Sequence, residues 1–318
     1  MVKVSVAGGS GNVAREVIDQ ILARNKHEVT ILEQRPTESP CAADKKGIKW
    51  IHVDYSDKPS LAQVLRGTDV VLCFFTGLDY TSAVRNSKNL IDASIQAGVK
   101  RFAPSEWGSR LNWSIPHYRF KDEIREYLEE CNSGRIRLEY TIFQPGLFTN
   151  YFGFPYSTTK HLSMSPWLVD FDNRRAITVG AGDFSLCLTT VQDMAFVVAE
   201  SLEYEGKWPV DGGIRGTQVT MAELIRLGEK LRGPMRVESV SLEDLREGQL
   251  KTSWCPLITH PCIPDEHREI ISRHIMITFL RSVAQGAWTV SDAWNKRLPN
   301  YKYTSAEDYL TQIWMGKP

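Results

Sequence analysis

The sequence has no apolar run long enough to cross a bilayer, no Cys-x-x-Cys pair, no internal repeat, no low-complexity linker and no excess of either charge. Each absence removes a class of function. Without about 18 consecutive apolar residues there is no transmembrane helix. A chain that enters its first strand at Val2 leaves no room for a signal peptide, so a soluble, cytoplasmic protein is expected. With 38 basic and 38 acidic residues, no global field draws the chain to nucleic acid or to an anionic membrane surface, and neither is expected as a partner. The six cysteines, Cys41, Cys73, Cys131, Cys187, Cys255 and Cys262, are scattered, which suits a reducing compartment and argues against structural zinc. Asn112-Trp113-Ser114 spells a glycosylation sequon, which in a cytosolic chain reads as chance. A hydrophobic fraction of 42% with 24% charged residues excludes a disordered or collagen-like chain, and 318 residues bury a large core, expected as two lobes.

What is present begins at the N-terminus. Val2 to Ala7 is a short β-branched strand, followed by Gly8-Gly9-Ser10-Gly11 and then by an amphipathic helix from Asn12. A strand, a glycine turn and a helix in that order make a dinucleotide site. Gly8 permits the sharp turn, and Gly11 lets backbone N–H groups approach a pyrophosphate seated on the positive end of the helix. The spacing is Gly-x-x-Gly-x-x-Ala, with Ala14 where a third glycine usually packs helix on strand. Gly8, Ser10, Gly11, Asn12 and Val13 are therefore the expected cofactor contacts.

Strand and helix patterns alternate through the first 150 residues. Strands are expected at 2–7, 28–32, 49–53, 70–75, 101–104 and 139–144, and helices at 12–24, 60–65, 80–97 and 119–131. Such alternation predicts an α/β fold with a doubly wound parallel sheet of the Rossmann type. From Tyr151 the chain turns aromatic-rich and irregular. The expected division is a dinucleotide-binding domain of residues 1–150 plus about 186–214, and a smaller α/β substrate-binding domain of residues 151–185 plus about 215–318.

The second strand runs into Glu33-Gln34-Arg35, where the adenosine ribose should lie. A carboxylate at Glu33 favours NAD by bonding the ribose hydroxyls, whereas Arg35 favours NADP by pairing with a 2′-phosphate. Phe75, Lys121 and Pro145 complete the expected cofactor contacts. Glu106, at the carboxyl end of a strand, faces the crevice where ligands bind in such sheets, as a proton donor or acceptor or as a structural carboxylate. Trp107, Phe148, Tyr151, Phe152, Phe154 and Tyr156 suit the wall of a pocket for a flat aromatic ligand, or a plain core. His260, His267 and His274 recur every seven residues, but Pro261 and Pro264 break a common helix and no carboxylate pair completes a ligand set. No metal is expected, although His274 remains a candidate to reach the substrate.

The segment Lys100-Arg101-Phe102-Ala103-Pro104-Ser105-Glu106-Trp107-Gly108 resembles the isoflavone reductase-like branch of the NmrA-like, atypical short-chain dehydrogenase/reductase family. The likeness continues through Phe120-Lys121, Gln144 to Phe152, Thr190 to Ala195 and Tyr301 to Leu310, and so covers essentially the whole chain. It implies a cytosolic, NADPH-using reductase of a small aromatic, secondary-metabolite-like substrate, with NADP as cofactor and NAD as the alternative. It also places Lys121 at the family's catalytic lysine, where desolvation near the nicotinamide readies an amine for proton exchange. Ordinary short-chain dehydrogenases carry a tyrosine four residues before that lysine. His117 stands there, a candidate acid or base, and Tyr118 lies about 100° away on a continuous α-helix and is not expected to substitute. Two alternatives keep the dinucleotide: a non-redox cyclisation or isomerisation by Glu106, His117 or Lys121, and a redox-sensing regulator. A monomer or a homodimer is compatible with the family.

Overall fold

A computed structural model describes residues 1–34, 48–76, 79–112, 115–261 and 263–317. Arg35, Cys41, Cys262 and the Trp113-Ser114 portion of the sequon lie outside the described residues. The chain forms two compact units. The first comprises Met1–Trp107, Pro116–Gln144 and Met194–Gly212; the second comprises Gly108–Ile115, Pro145–Asp193 and Gly213–Pro318.

The first unit is built from β1 (Lys3–Ala7), α1 (Asn12–Leu22), β2 (Glu28–Glu33), β3 (Ile48–His52), α2 (Lys58–Val64), β4 (Val70–Cys73), α3 (Tyr80–Ala97), β5 (Arg101–Ala103), α4 (Arg119–Cys131), β6 (Glu139–Tyr140) and β7 (Ile142–Gln144). Its six-stranded sheet has the order β3-β2-β1-β4-β5-β6, with every pair parallel. Local chemistry explains the elements. All four residues of β4 are buried, as a strand covered on both faces requires. In α1 the buried residues Ala14, Val17, Ile18 and Ile21 recur at helical spacing on one stripe. Helix α3 starts where the Asp79 carboxylate accepts from the Ser82 N–H and stops at Gly98, whose φ of 76° closes the last turn. The chain leaves β1 in one direction for β2 and in the other for β4. This reversal opens a crevice at the carboxyl ends of the two strands, where such sheets bind ligands.

One expected element changes shape. The candidate strand 139–144 breaks at Thr141, and β7 pairs with Asp211–Gly213 rather than extending the large sheet. Helix α4 begins at Arg119, the expected start, and Pro116–Tyr118 forms a 3₁₀ turn before it.

In the second unit, Leu147–Phe148 pairs in parallel with Ser185–Thr189, which pairs antiparallel with Thr217–Thr220. That pairing draws residues 145–150 and 186–193 into the second unit, which is close to the first in length. Arg236–Val240, Arg175–Val179 and Val169–Asp170 make another three-stranded sheet. Around them pack the helices Met221–Arg232, which opens with a capping box between Thr220 and Glu223, Arg268–Ala284 and Ala306–Trp314. Phe152, Phe171 and Trp314 form an aromatic core there, and the indole N–H of Trp314 donates to the Phe152 carbonyl. Among the described residues no helix is long and apolar enough to cross a membrane, and no cluster of His, Cys, Asp and Glu could hold a metal ion.

Candidate active site

The glycine turn follows β1. Gly8 has φ +73°, and its left-handed backbone passes so close to β4 that a Cβ there would meet the Phe74 carbonyl at 3.0 Å. Gly9 needs to be glycine for another reason, since a Cβ would come within 2.7 Å of the Ile31 side chain on β2. Sequence reasoning gave the packing role to Ala14 alone and missed Gly9, whose neighbour is distant in the chain. Ser10 and Gly11 are exposed, and Asn12 and Val13 partly so. Gly11 caps α1 with no side-chain hydrogen bond, and no acidic residue stands in the first turn. A positive helix end left uncapped, beside backbone too tight for side chains, fits a dinucleotide pyrophosphate.

At the end of β2, Glu33 is partly buried. Its Oε2 is buried with no hydrogen-bond partner among the described residues, a cost of about 1–3 kcal/mol or more unless a donor arrives. The ribose hydroxyls of a dinucleotide are donors of that kind. Arg35, the residue expected to meet a 2′-phosphate, lies outside the described residues. At the ends of β4 and β5 the loops are tied together: the Ser105 hydroxyl donates to the Phe75 carbonyl at 2.7 Å and the Trp107 indole N–H to the Cys73 carbonyl at 2.7 Å. Trp107 takes a left-handed φ of 49° and stacks on Phe74 at 4.2 Å and on Phe143 at 5.4 Å. Its ring is thus committed to a three-ring stack inside the first unit rather than standing as an open wall for a ligand.

Beside these loops lies Lys121. It is 6% exposed and its Nζ donates to the Glu106 backbone carbonyl at 2.5 Å. Cys73, Ser87, Phe102, Pro104, Ser105, Phe120 and Ile124 close the crevice around it so tightly that no water fits. Burial pushes the Lys121 amine down to about 8, against the opposing pull of the Glu106 carboxylate. Glu106 is spoken for at both oxygens, because the Arg125 guanidinium donates to Oε1 at 2.8 Å and to Oε2 at 2.6 Å. Its side chain is 1% exposed. Such a fork fixes the carboxylate and leaves it no free oxygen with which to serve as the alternative acid or base. Arg125 carried no signal of its own in the sequence, although it stands one helical turn after Lys121.

His117 and Tyr118 exchange the roles expected of them. His117 is exposed on the 3₁₀ turn and meets Tyr118 edge-on at 4.5 Å. Tyr118, three residues before Lys121 at the end of the turn, takes the face beside it. The Lys121 Nζ sits 3.4 Å from the centre of the Tyr118 ring. The reading that placed His117 on that face assumed a continuous α-helix through 117–121, whereas residues 116–118 form a 3₁₀ turn.

The remaining candidates belong to the second unit. Pro145 opens its first segment after β7. Phe148 and Phe152 are 5% and 2% exposed, so both serve the core instead of facing a ligand. Tyr151 stacks on Trp167 at 5.5 Å, and Tyr156 meets Trp314 edge-on while the Lys317 ammonium lies over its ring. An open groove of this unit lies elsewhere. It is a groove of about 620 Å³ lined by Gly248, Trp254, Cys255, Leu257, Glu269, Ile270, Arg273, His274 and Ile277. Trp254, one of its lining residues, has an indole nitrogen that is buried with no hydrogen-bond partner among the described residues. Of the three spaced histidines only His274 lines the groove; His267 caps the helix that carries it.

The model of the NmrA-like family matches residues 2–310. Oxidoreductase BOA1 of Botryotinia fuckeliana is 30% identical over 239 residues, covering 73% of this chain and 77% of that protein. Oxidoreductase swnN of Metarhizium robertsii is 27% identical over 347 residues, covering 100% of this chain and 98% of that one. Among solved structures, "AtPrR2 with NADP+ and (+)pinoresinol" superposes with a TM-score of 0.71 at 23% identity over 98% of both chains, a likeness of fold. With its doubly wound sheet, glycine turn and Pro104-Ser105-Glu106 strand end, the chain belongs to the NmrA-like family.

Proposed function

We propose that this protein is an NAD(P)-dependent oxidoreductase of the isoflavone reductase type that uses NADPH to reduce a small aromatic substrate, with Lys121 handling the proton. The observation that carries the reading is the Lys121 amine, sealed in a dry crevice and lowered to about 8, in the same unit as the glycine turn. A structural lysine gains nothing from such a place, whereas an acid or base works best with a pKa near the working pH. The relatives named as oxidoreductases and a fold neighbour holding NADP+ and (+)pinoresinol support the redox class and the aromatic substrate.

In this reading the first unit binds the dinucleotide and the second supplies the substrate surface. The turn of Gly8 to Gly11 and the start of α1 hold the pyrophosphate, and Glu33 accepts from a ribose hydroxyl. When bound, the cofactor supplies the hydride. Lys121 keeps its proton at neutral pH on an Nζ oriented by the Glu106 carbonyl, and it can give that proton to a substrate oxygen as negative charge develops there. Arg125 holds Glu106, and through it the position of Nζ. The groove beside Trp254 and His274 has the size of a small-molecule site and offers an apolar wall with one unsatisfied donor.

The test is a titration of the purified protein with NADPH, NADP+, NADH and NAD+, followed by energy transfer from its tryptophans and by calorimetry, then a screen of aromatic enones and ketones with the preferred reduced cofactor. Tight binding of the phosphorylated pair and loss of nicotinamide absorbance with a substrate are expected. Binding of none of the four would overturn the reading.

A further inference from the structure

Tyr118 is a polar group beside Lys121 whose purpose the fold leaves open. The Lys121 ammonium has two close partners, the Glu106 carbonyl at 2.5 Å and the Tyr118 ring face at 3.4 Å. The charged groups acting on it are Glu106, Arg125 and Asp122. Lys121 itself is sealed, while Tyr118 is only partly buried and stands at the outer end of the pair, as the cap residue of α4. Its phenolic hydroxyl has no hydrogen-bond partner among the described residues. Phe120 and Ile124 line the crevice with the lysine. Burial and the nearby Glu106 carboxylate push the phenol up to about 12, so it stays a donor throughout the neutral range.

We infer that Tyr118 and Lys121 work as a pair, the Tyr118 ring holding the ammonium charged and in place while the Tyr118 hydroxyl donates a hydrogen bond to the substrate oxygen at which the proton is delivered. A cation over an aromatic face is stabilised by the ring's negative quadrupole, which partly offsets the loss of water around Nζ. The hydroxyl then extends a buried amine to a group outside its crevice. The spacing is Tyr-x-x-Lys, with Tyr118 ending the 3₁₀ turn as the cap of α4 and Lys121 in the first turn of that helix, three residues on. This inference rests on the reductase reading for its substrate oxygen, but not for the pairing of ring and ammonium.

The two are separated by two measurements on the NADP+-bound protein and on Tyr118→Phe and Tyr118→Leu. The first follows the pH titration of the Lys121 amine by isotope labelling of lysine and NMR, which needs no reagent to enter the crevice and no turnover. The midpoint is expected near 8 in the parent and in Tyr118→Phe, which keeps the ring, and about one unit lower in Tyr118→Leu, which loses it. A midpoint in Tyr118→Leu that stays or rises would overturn the pairing. The second is steady-state reduction of whichever aromatic ketone or enone the parent turns over. Tyr118→Phe is expected to lower kcat/KM about 10- to 100-fold, the loss of one hydrogen bond to a charged oxygen, with NADPH affinity retained. Full activity in Tyr118→Phe would overturn the role of the hydroxyl. If the parent turns over none of the panel, the reductase reading fails and takes the hydroxyl's role with it, and the NMR titration alone decides the pairing.

Discussion

The crevice around Lys121 and the groove beside Trp254 are opposite solutions to binding chemistry. The crevice belongs to the first unit, is built on strand ends and a helix, and has no room for water. The groove belongs to the second unit, is lined by a helix and the irregular chain before it, and is open over about 620 Å³. On the proposed reading, one changes the acidity of a single amine and the other receives a substrate. The contrast teaches where each kind of variation should act: substitutions in the crevice should change rates and pH dependence, and substitutions in the groove should change which substrate binds.

The largest expected effect breaks the crevice outright. Lys121→Met should lower kcat by about 10²- to 10⁴-fold, the range for losing a positioned acid or base, while the Kd for NADPH changes little. Initial rates and calorimetry on the variant check this, and a fully active variant would remove Lys121 from the mechanism. Next, Arg125→Leu leaves the Glu106 carboxylate buried without its partner and should destabilise the fold by about 3–5 kcal/mol, read as a lower urea midpoint. A midpoint shift worth less than about 1 kcal/mol would mean that Glu106 finds water or another donor.

Titration of Lys121 should also appear in stability. Its folded pKa is lowered, so between pH 8 and 10.5 the unfolded chain binds more protons than the folded one, and raising the pH through that window favours folding. The unfavourable burial of the ammonium is present in full below pH 8 and is relieved by pH 10.5. Measured as the difference between parent and Lys121→Met in urea unfolding, the parent should gain about 3 kcal/mol across that window. A constant difference would show that the amine is hydrated. In the groove, Trp254→Ala should raise the substrate KM up to about tenfold, with the NADPH affinity and the titration near pH 8 unmoved. The smallest change is at the cofactor: Glu33→Gln removes a carboxylate that disfavours a 2′-phosphate and should shift the ratio of NADPH to NADH affinity severalfold toward NADPH. An unchanged ratio would place Glu33 away from the ribose.

Most of the first unit was legible in the chain, because its signals are local. The β-branched runs, the glycine turn and the caps at Asp79 and Gly98 act within a few residues, and helices 80–97 and 119–131 occur with the expected bounds. The position of Lys121 was legible through the Pro104-Ser105-Glu106 segment. What escaped depended on contacts distant in sequence or on one backbone detail. Gly9 is fixed by Ile31, and Glu106 by Arg125 across 19 residues. Residues 116–118 form a 3₁₀ turn with Tyr118 beside Lys121 and His117 at the surface, which a helical wheel drawn through 117–121 inverts. In the second unit the aromatics at 148 and 152 have the composition of a ligand wall, yet they pack inward. The groove is lined instead by residues 248–277, where no spacing rule applied.

The central claim, that the buried Lys121 amine delivers the proton of an NADPH-dependent reduction, is tested most directly by the pH profile of kcat for parent and Lys121→Met on one aromatic substrate. The parent rate should fall above a break near pH 8 as Nζ loses its proton, and the residual rate of the variant should show no such break. A parent profile flat from pH 6 to 10, or product formed without consumption of NADPH, would contradict the account.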